Sequence, residues 1–117
     1  MSANEKTIFE KILKKEIPCT PVYEDEHTFA FNDISPQAPI HILIIPKQKL
    51  INMNCVEENE VEQVGRILFA AKKIAQLKGV AENGYRLVFN NGPQAGQTVY
   101  YMHCHLLGGR DLSWPPG

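Results

Sequence analysis

The segment Tyr101-Met102-His103-Cys104-His105-Leu106-Leu107 holds the densest group of reactive side chains in this sequence. In an extended chain, successive side chains point to opposite faces. Tyr101, His103, His105 and Leu107 therefore share one face, and Met102, Cys104 and Leu106 the other. The second set is apolar and marks the core. Two imidazoles on the opposite face are hard to explain by packing, because each ring carries a donor and an acceptor that need partners. A neutral imidazole at physiological pH can serve as nucleophile, general base or hydrogen-bond donor. The preceding Asn91-Gly92-Pro93-Gln94-Ala95-Gly96-Gln97-Thr98 offers glycines that let backbone approach a ligand, then an amide and a hydroxyl able to donate to phosphate oxygens. Alone, such a loop is an ordinary hairpin connection. One step ahead of two co-facial histidines, it becomes a candidate anion site.

The surrounding pattern indicates what positions these groups. Thr7-Ile8-Phe9-Glu10 has capping-box spacing and opens a short helix with Ile8, Phe9, Ile12 and Leu13 on one face, ended by the Ile17-Pro18 step. Val22 to Glu24 and Thr28 to Asn32 read as a hairpin around Asp25-Glu26. Ser35-Pro36-Gln37-Ala38-Pro39 reads as a rigid connection into His41-Ile42-Leu43-Ile44-Ile45-Pro46, an apolar run typical of a central strand. From Glu57 to Lys78, Val61, Val64, Leu68, Ala71 and Ala75 recur at helical spacing, widened by Ile67 and Ile74, with Gly79 as the terminating residue. Tyr85 to Asn90 and Val99 to Leu107 complete the strands. With short connections favouring antiparallel pairing, the order of elements predicts an α+β domain.

Composition sets outer bounds. The 117 residues fit one domain, 1–117, large enough for a real core and small enough to profit from burying an oligomer face. A formal net charge of -1, with basic residues scattered, argues against a nucleic-acid partner. The charged N-terminal stretch has no signal-peptide run, and no stretch approaches a membrane span. Cys19, Cys55 and Cys104 are odd in number and widely spaced, which fits neither a disulfide framework nor a zinc ribbon. The expectation is a reducing compartment, the cytoplasm first and the nucleus second.

Taken together, EKILKKEIP, AFNDISPQAP, His41 with IIPK, FNNG, AGQTVYYMHCHLLGGR and the WPPG terminus occur in an order that resembles the histidine-triad proteins, and within them the Hint branch. The resemblance spans nearly the whole chain. It implies a five-stranded antiparallel sheet with one short and one long helix, and a two-fold dimer in which the long helix and a sheet edge meet their counterparts. It also implies binding of purine nucleotides and hydrolysis of nucleoside 5'-phosphoramidates through a nucleotidyl-histidine intermediate. No cofactor or metal is implied.

Carried over by position, the nucleophile is His103, and His105 contacts the phosphate. Ile8, Phe9, Phe31, Asp33 and Ile34 surround base and ribose. Asn90, Gly96, Gln97, Thr98 and Val99 lie near the phosphate. Trp114 belongs to a tail that reaches the partner subunit's active site in that family. His41 matches an additional histidine beside the triad, expected to bond to its first member. Three positions depart from the family: Tyr101 stands where the first triad histidine belongs, and Asn32 and Thr98 replace the commoner His and Ser. The hydroxyl survives at Thr98. In that family the nucleophile's Nδ1–H is held by the main chain of the first triad position, and a carbonyl exists at Tyr101 whatever its side chain. The Gln97 side chain and backbone N–H groups from Gly96 to Val99 are candidate donors to the phosphate. Other readings are a zinc site on His41, His103 and His105, a nucleotide-binding regulatory protein of weak catalysis, and a dinucleoside polyphosphate hydrolase.

Overall fold

The computed structural model describes residues 6–117; residues 1–5, which open the charged N-terminal stretch, lie outside the described residues. A short helix, α1 (Ile8–Leu13), precedes the strands β1 (Pro21–Glu24), β2 (Thr28–Asn32) and β3 (Ile40–Pro46). A long helix, α2 (Val61–Leu77), leads to β4 (Tyr85–Phe89) and β5 (Cys104–Gly108). The strands form one antiparallel sheet in the order β1-β2-β3-β5-β4, so the apolar run at His41–Pro46 is the central strand, as its composition predicts.

Alternation along the strands sorts the interior into two layers. Ala30, Ile42, Ile44, Met102, Cys104 and Leu106 face α2 and meet Ile67, Ala70, Ala71, Ile74 and Ala75. Phe31, Leu43, Ile45 and Tyr101 face the other way, against Phe9 and Ile12 of α1. Both sides of β3 are covered, and every residue from His41 to Pro46 is buried. Full burial of Ile67 and Ile74 contributes about 1.5–3 kcal/mol each relative to exposure, which fixes α2 on its face of the sheet.

The local signals hold at the start of α1 and the end of α2. Thr7 Oγ1 accepts from the Glu10 N–H while the Glu10 carboxylate accepts from the Thr7 N–H, each at 3.3 Å. Gly79 takes φ +74°, and the N–H groups of Gly79 and Val80 donate to Gln76 and Ala75 carbonyls in a Schellman closure.

Other boundaries differ from expectation. Helix α1 stops at Leu13, ahead of the Ile17-Pro18 step, because Lys15 adopts φ +62° and Glu16 N–H returns to the Lys11 carbonyl at 2.8 Å. A 3₁₀ turn at Glu58–Glu60 precedes α2, which therefore begins at Val61 rather than Glu57. The buried line of α2 runs through 67, 70, 71, 74 and 75; Leu68 lies on its flank and Val61 almost two turns ahead of it, so both are exposed rather than in the core. The last strand begins at Cys104, not Val99, and residues 99–103 approach it without joining the ladder. Among the described residues no helix is long and apolar enough to cross a membrane.

Candidate functional site

The candidate site lies on the α1 face of the sheet. On β3 and β5, Leu43 pairs with His105 and His41 with Leu107, so His41 and His105 are diagonal neighbours on one face. His41 Nε2 and His105 Nδ1 are 2.9 Å apart. His103 stands just ahead of β5 and keeps the alternation, its ring centroid 5.0 Å from that of His105 and 5.0 Å from that of Phe9.

The hydrogen-bond partners determine the tautomers. The backbone N–H of Gln37 donates to His41 Nδ1 at 3.0 Å, which makes that nitrogen an acceptor and places the His41 proton on Nε2. His41 Nε2–H then donates to His105 Nδ1, leaving the His105 proton on Nε2. His103 Nδ1 lies 2.8 Å from the Tyr101 carbonyl, which can only accept, so Nδ1 carries the proton and Nε2 holds a lone pair. The resemblance anticipated this last bond. It placed His41 beside the first triad position, whereas the ring of His41 bonds to His105.

Burial favours the neutral rings that these tautomers require. Desolvation lowers the pKa of His41 and His103, although the nearby Asp33 carboxylate opposes the shift at both. His105 is pushed down to about 4, first by desolvation and then by its two imidazole neighbours. Asp33 Oδ2 lies 3.4 Å from His41 Nε2 while its Oδ1 accepts from the Ser35 N–H at 2.8 Å. Cys104, between the two histidines in sequence, points into the α2 core, where desolvation pushes its thiol up to about 12. It therefore presents no thiolate to the histidine face.

The glycine loop is braced from inside. Gln97, 5% exposed, donates through Nε2 to the Ile51 and Val99 carbonyls at 2.9 and 3.1 Å. Its Oε1 accepts from Asn52 Nδ2 at 3.0 Å and the Gly92 N–H at 2.9 Å. Both amide hydrogens are committed, so the Gln97 side chain is not the phosphate donor that its sequence position promised. Its own N–H is used as well, donating to the Gly92 carbonyl. Gly96 takes φ +82°, the left-handed turn that delivers the chain toward Thr98, an exposed residue.

Phe9 and Phe31 meet edge to face at 5.7 Å and form a buried wall beside His103. Ile8 and Ile34 are exposed, Asn32, Asp33, Asn90 and Val99 are half-buried, and Trp114 stands 80% exposed in the C-terminal tail. Arg86 holds that tail through the Ser113 carbonyl at 3.0 Å. A cavity of about 620 Å³ opens elsewhere, lined in part by Ile12, Ile17 and Phe29, and its lining includes no histidine. Sequence reasoning missed Gln37 and Asn52, which act through a backbone N–H and a buried amide. It also missed the Glu10–Lys49 ion pair at 2.5 Å, which ties α1 to the segment after β3 and lowers the Glu10 pKa, chiefly by the Lys49 hydrogen bond.

This sheet, with a bonded histidine pair on β3 and β5 and a third histidine that follows a glycine loop in the chain, defines a histidine-triad fold, and the chain belongs to the HIT domain family, which it matches over residues 14–112. It is 52% identical to a HIT family hydrolase of Legionella pneumophila of known structure, with a TM-score of 0.93 over 96% of this chain and 100% of that one. It is 50% identical to a protein named adenylylsulfatase HINT1 of Arabidopsis thaliana, covering 98% of this chain and 79% of that one. A 14 kDa zinc-binding protein of Zea mays is 57% identical over 95% of this chain and 88% of its own length.

The zinc reading is tested by geometry. Donor atoms of Asp33, His41 and His105 lie within 4.8 Å of one another, so the cluster includes Asp33 in place of the expected His103. His41 Nδ1 is taken by Gln37, and its Nε2 shares a proton with His105 across 2.9 Å. A tetrahedral zinc, with Zn–N bonds of about 2.0–2.1 Å, would hold two nitrogens roughly 3.3 Å apart and displace that proton. The arrangement in this structure is that of a hydrogen-bonded chain, and an ion on Asp33, His41 and His105 would have to take the place of the proton between the two rings.

Proposed function

We propose that this chain is a hydrolase of purine nucleoside 5'-phosphoramidates acting through a nucleotidyl-His103 intermediate. The observation that carries the reading is the His103 Nδ1 contact with the Tyr101 carbonyl at 2.8 Å, which leaves Nε2 unprotonated. His103 Nε2 attacks the α-phosphorus and forms a P–N bond while the bond to the leaving amine breaks. The amine departs with the electron pair and takes a proton, carried on the leaving nitrogen or passed through Thr98. Water then attacks phosphorus and gives up a proton to solvent, while the electron pair of the P–His103 bond returns to Nε2 and restores the neutral imidazole. His105 Nε2–H and backbone N–H groups of the loop donate to the phosphoryl oxygens as charge develops. His41 keeps that His105 proton in place. Phe9, Phe31, Ile8 and Ile34 form the walls for the base, with Asp33 near the ribose.

A second substrate is favoured by the Arabidopsis relative named an adenylylsulfatase. Adenylyl sulfate offers the same α-phosphorus with sulfate as a leaving group that needs no proton, so the same nucleophile would serve. Mixing the protein with adenosine 5'-phosphoramidate, quenching in the steady state and mapping the adduct by mass spectrometry tests the intermediate. Adenylylated His103 is expected, and nucleotide release with the label on another residue, or on none, refutes it. Parallel turnover of adenylyl sulfate ranks the two substrates.

The assembly proposed with this function is a two-fold dimer. Strand β4 is a sheet edge, and α2 leaves Leu68, Phe69 and Leu77 exposed. Closing these faces on a second copy would extend the sheet and bring each tail, with Trp114, toward the neighbouring site.

A further inference from the structure

We propose that Tyr101 is a positioning residue for His103, its phenol anchoring the peptide whose carbonyl selects the imidazole tautomer; this rests on the nucleophile reading above. The last pair of β3 with β5 is Ile44 with Cys104, so the carbonyl that orients His103 lies outside the ladder. Two other bonds hold it. The Met102 N–H donates to the Leu50 carbonyl at 2.6 Å, and the Tyr101 hydroxyl donates to the Pro46 carbonyl.

The Tyr101 carbonyl and the Met102 N–H belong to one planar peptide unit and point in opposite directions. Holding the N–H at Leu50 therefore aims the carbonyl at His103 Nδ1. The phenol fixes the other end of that unit, at the Tyr101 Cα. Pro46 is a firm anchor: it ends the central strand, pairs with Thr28 of β2 and is fully buried. It lies two residues past the final β3–β5 pair, so the phenol supplies a donor where the ladder no longer does.

Packing reinforces the bond. Tyr101 is 1% exposed and meets Phe9 edge-on at 6.1 Å, and Phe9 in turn meets His103 edge-on at 5.0 Å. The same side chain thus steadies both the acceptor of His103 and the ring that flanks it. Without the phenol the peptide is held at one end only, by the Met102 N–H bond to Leu50, so its carbonyl can swing and Nδ1 lose the partner that keeps its proton there. The neutral ring would then populate the Nε2–H tautomer, which has no lone pair facing phosphorus.

Tyr101→Phe keeps the ring and removes only the anchor, and imidazole ¹⁵N NMR reads the result directly. Wild type is expected to show His103 as the Nδ1–H tautomer. The variant is expected to show a mixture of tautomers at His103, with His41 and His105 unmoved as internal controls of the fold. Its kcat should fall on the order of tenfold with KM unchanged, the signature of a misaligned nucleophile rather than a damaged binding site. A pure Nδ1–H signal at His103 with wild-type kcat overturns the proposal. The wild-type spectrum provides a check that needs no variant: the Tyr101 hydroxyl proton should exchange slowly, and rapid exchange overturns the anchor. Full phosphoramidase activity in His103→Ala would remove the nucleophile assignment alone, whereas an unmoved tautomer in Tyr101→Phe removes the positioning role alone.

Discussion

Replacing Gln97 by alanine separates a structural brace from a ligand contact. The substitution deletes four hydrogen bonds, to the Ile51 and Val99 carbonyls, the Asn52 amide and the Gly92 N–H. Each is worth about 1 kcal/mol net, and more where the remaining partner stays buried and unpaired. Asn52 is buried, while the other three partners are half-buried and can recover part of the loss from water entering the vacated space. The expected destabilisation is roughly 2–4 kcal/mol. Urea unfolding at fixed protein concentration, followed by circular dichroism, should show a lower midpoint with little change in slope. Gln97→Glu adds a pH signature. Its carboxylate would face the two carbonyls, so the folded-state pKa is raised above the unfolded value of about 4.3. The unfolded state then loses its proton first, and stability relative to wild type falls as pH rises from about 4 until the folded carboxyl also ionises. An unfolding midpoint for Gln97→Ala equal to wild type, with KM for nucleotide raised, would show that this side chain serves the phosphate and that the brace is incidental.

Other perturbations address the imidazoles and the proposed interface. His103→Ala should lower turnover of an adenosine phosphoramidate by on the order of 10³-fold or more, and Tyr101→His should change it by less, both read from kcat/KM. Because burial depresses the pKa of His41, His103 and His105, the acid limb of kcat/KM should have its midpoint below the ordinary histidine value of 6.5; a midpoint at or above 6.5 contradicts the neutral, desolvated chain. Linkage gives these groups the same sign in stability: below 6.5 the unfolded histidines take up protons that the native rings refuse, so their contribution is lost as pH falls from 6.5 toward the folded values, about 4 for His105. Phe69, 52% exposed on α2, should mark the dimer face, and Phe69→Glu should shift the mass measured by light scattering from dimer to monomer; an unchanged mass places the interface elsewhere.

Much of the site was legible in sequence because it depends on near neighbours. Alternation placed His103 and His105 opposite Met102, Cys104 and Leu106, and it persists through residues 101–103 although the ladder starts only at Cys104. The capping box at Thr7 and the glycine stop at Gly79 were readable for the same reason, since the groups that satisfy each other lie within five residues. The boundaries that moved, at Leu13 and Val61, are set by a lysine in a left-handed turn and by a 3₁₀ entry, which composition does not encode.

The polar connections of the site were decided by long-range register. His41 and His105 are 64 residues apart in sequence and meet only because β3 pairs with β5 so that Leu43 opposes His105. Gln97 in a glycine loop is a plausible phosphate donor until the fold brings Ile51 and Asn52 against it, 46 and 45 positions away, and uses its hydrogens. A residue's type and its immediate neighbours determine which face it occupies and what it can donate or accept. Which partner takes that capacity depends on strand pairing across the whole sheet, and only the tertiary structure decides it.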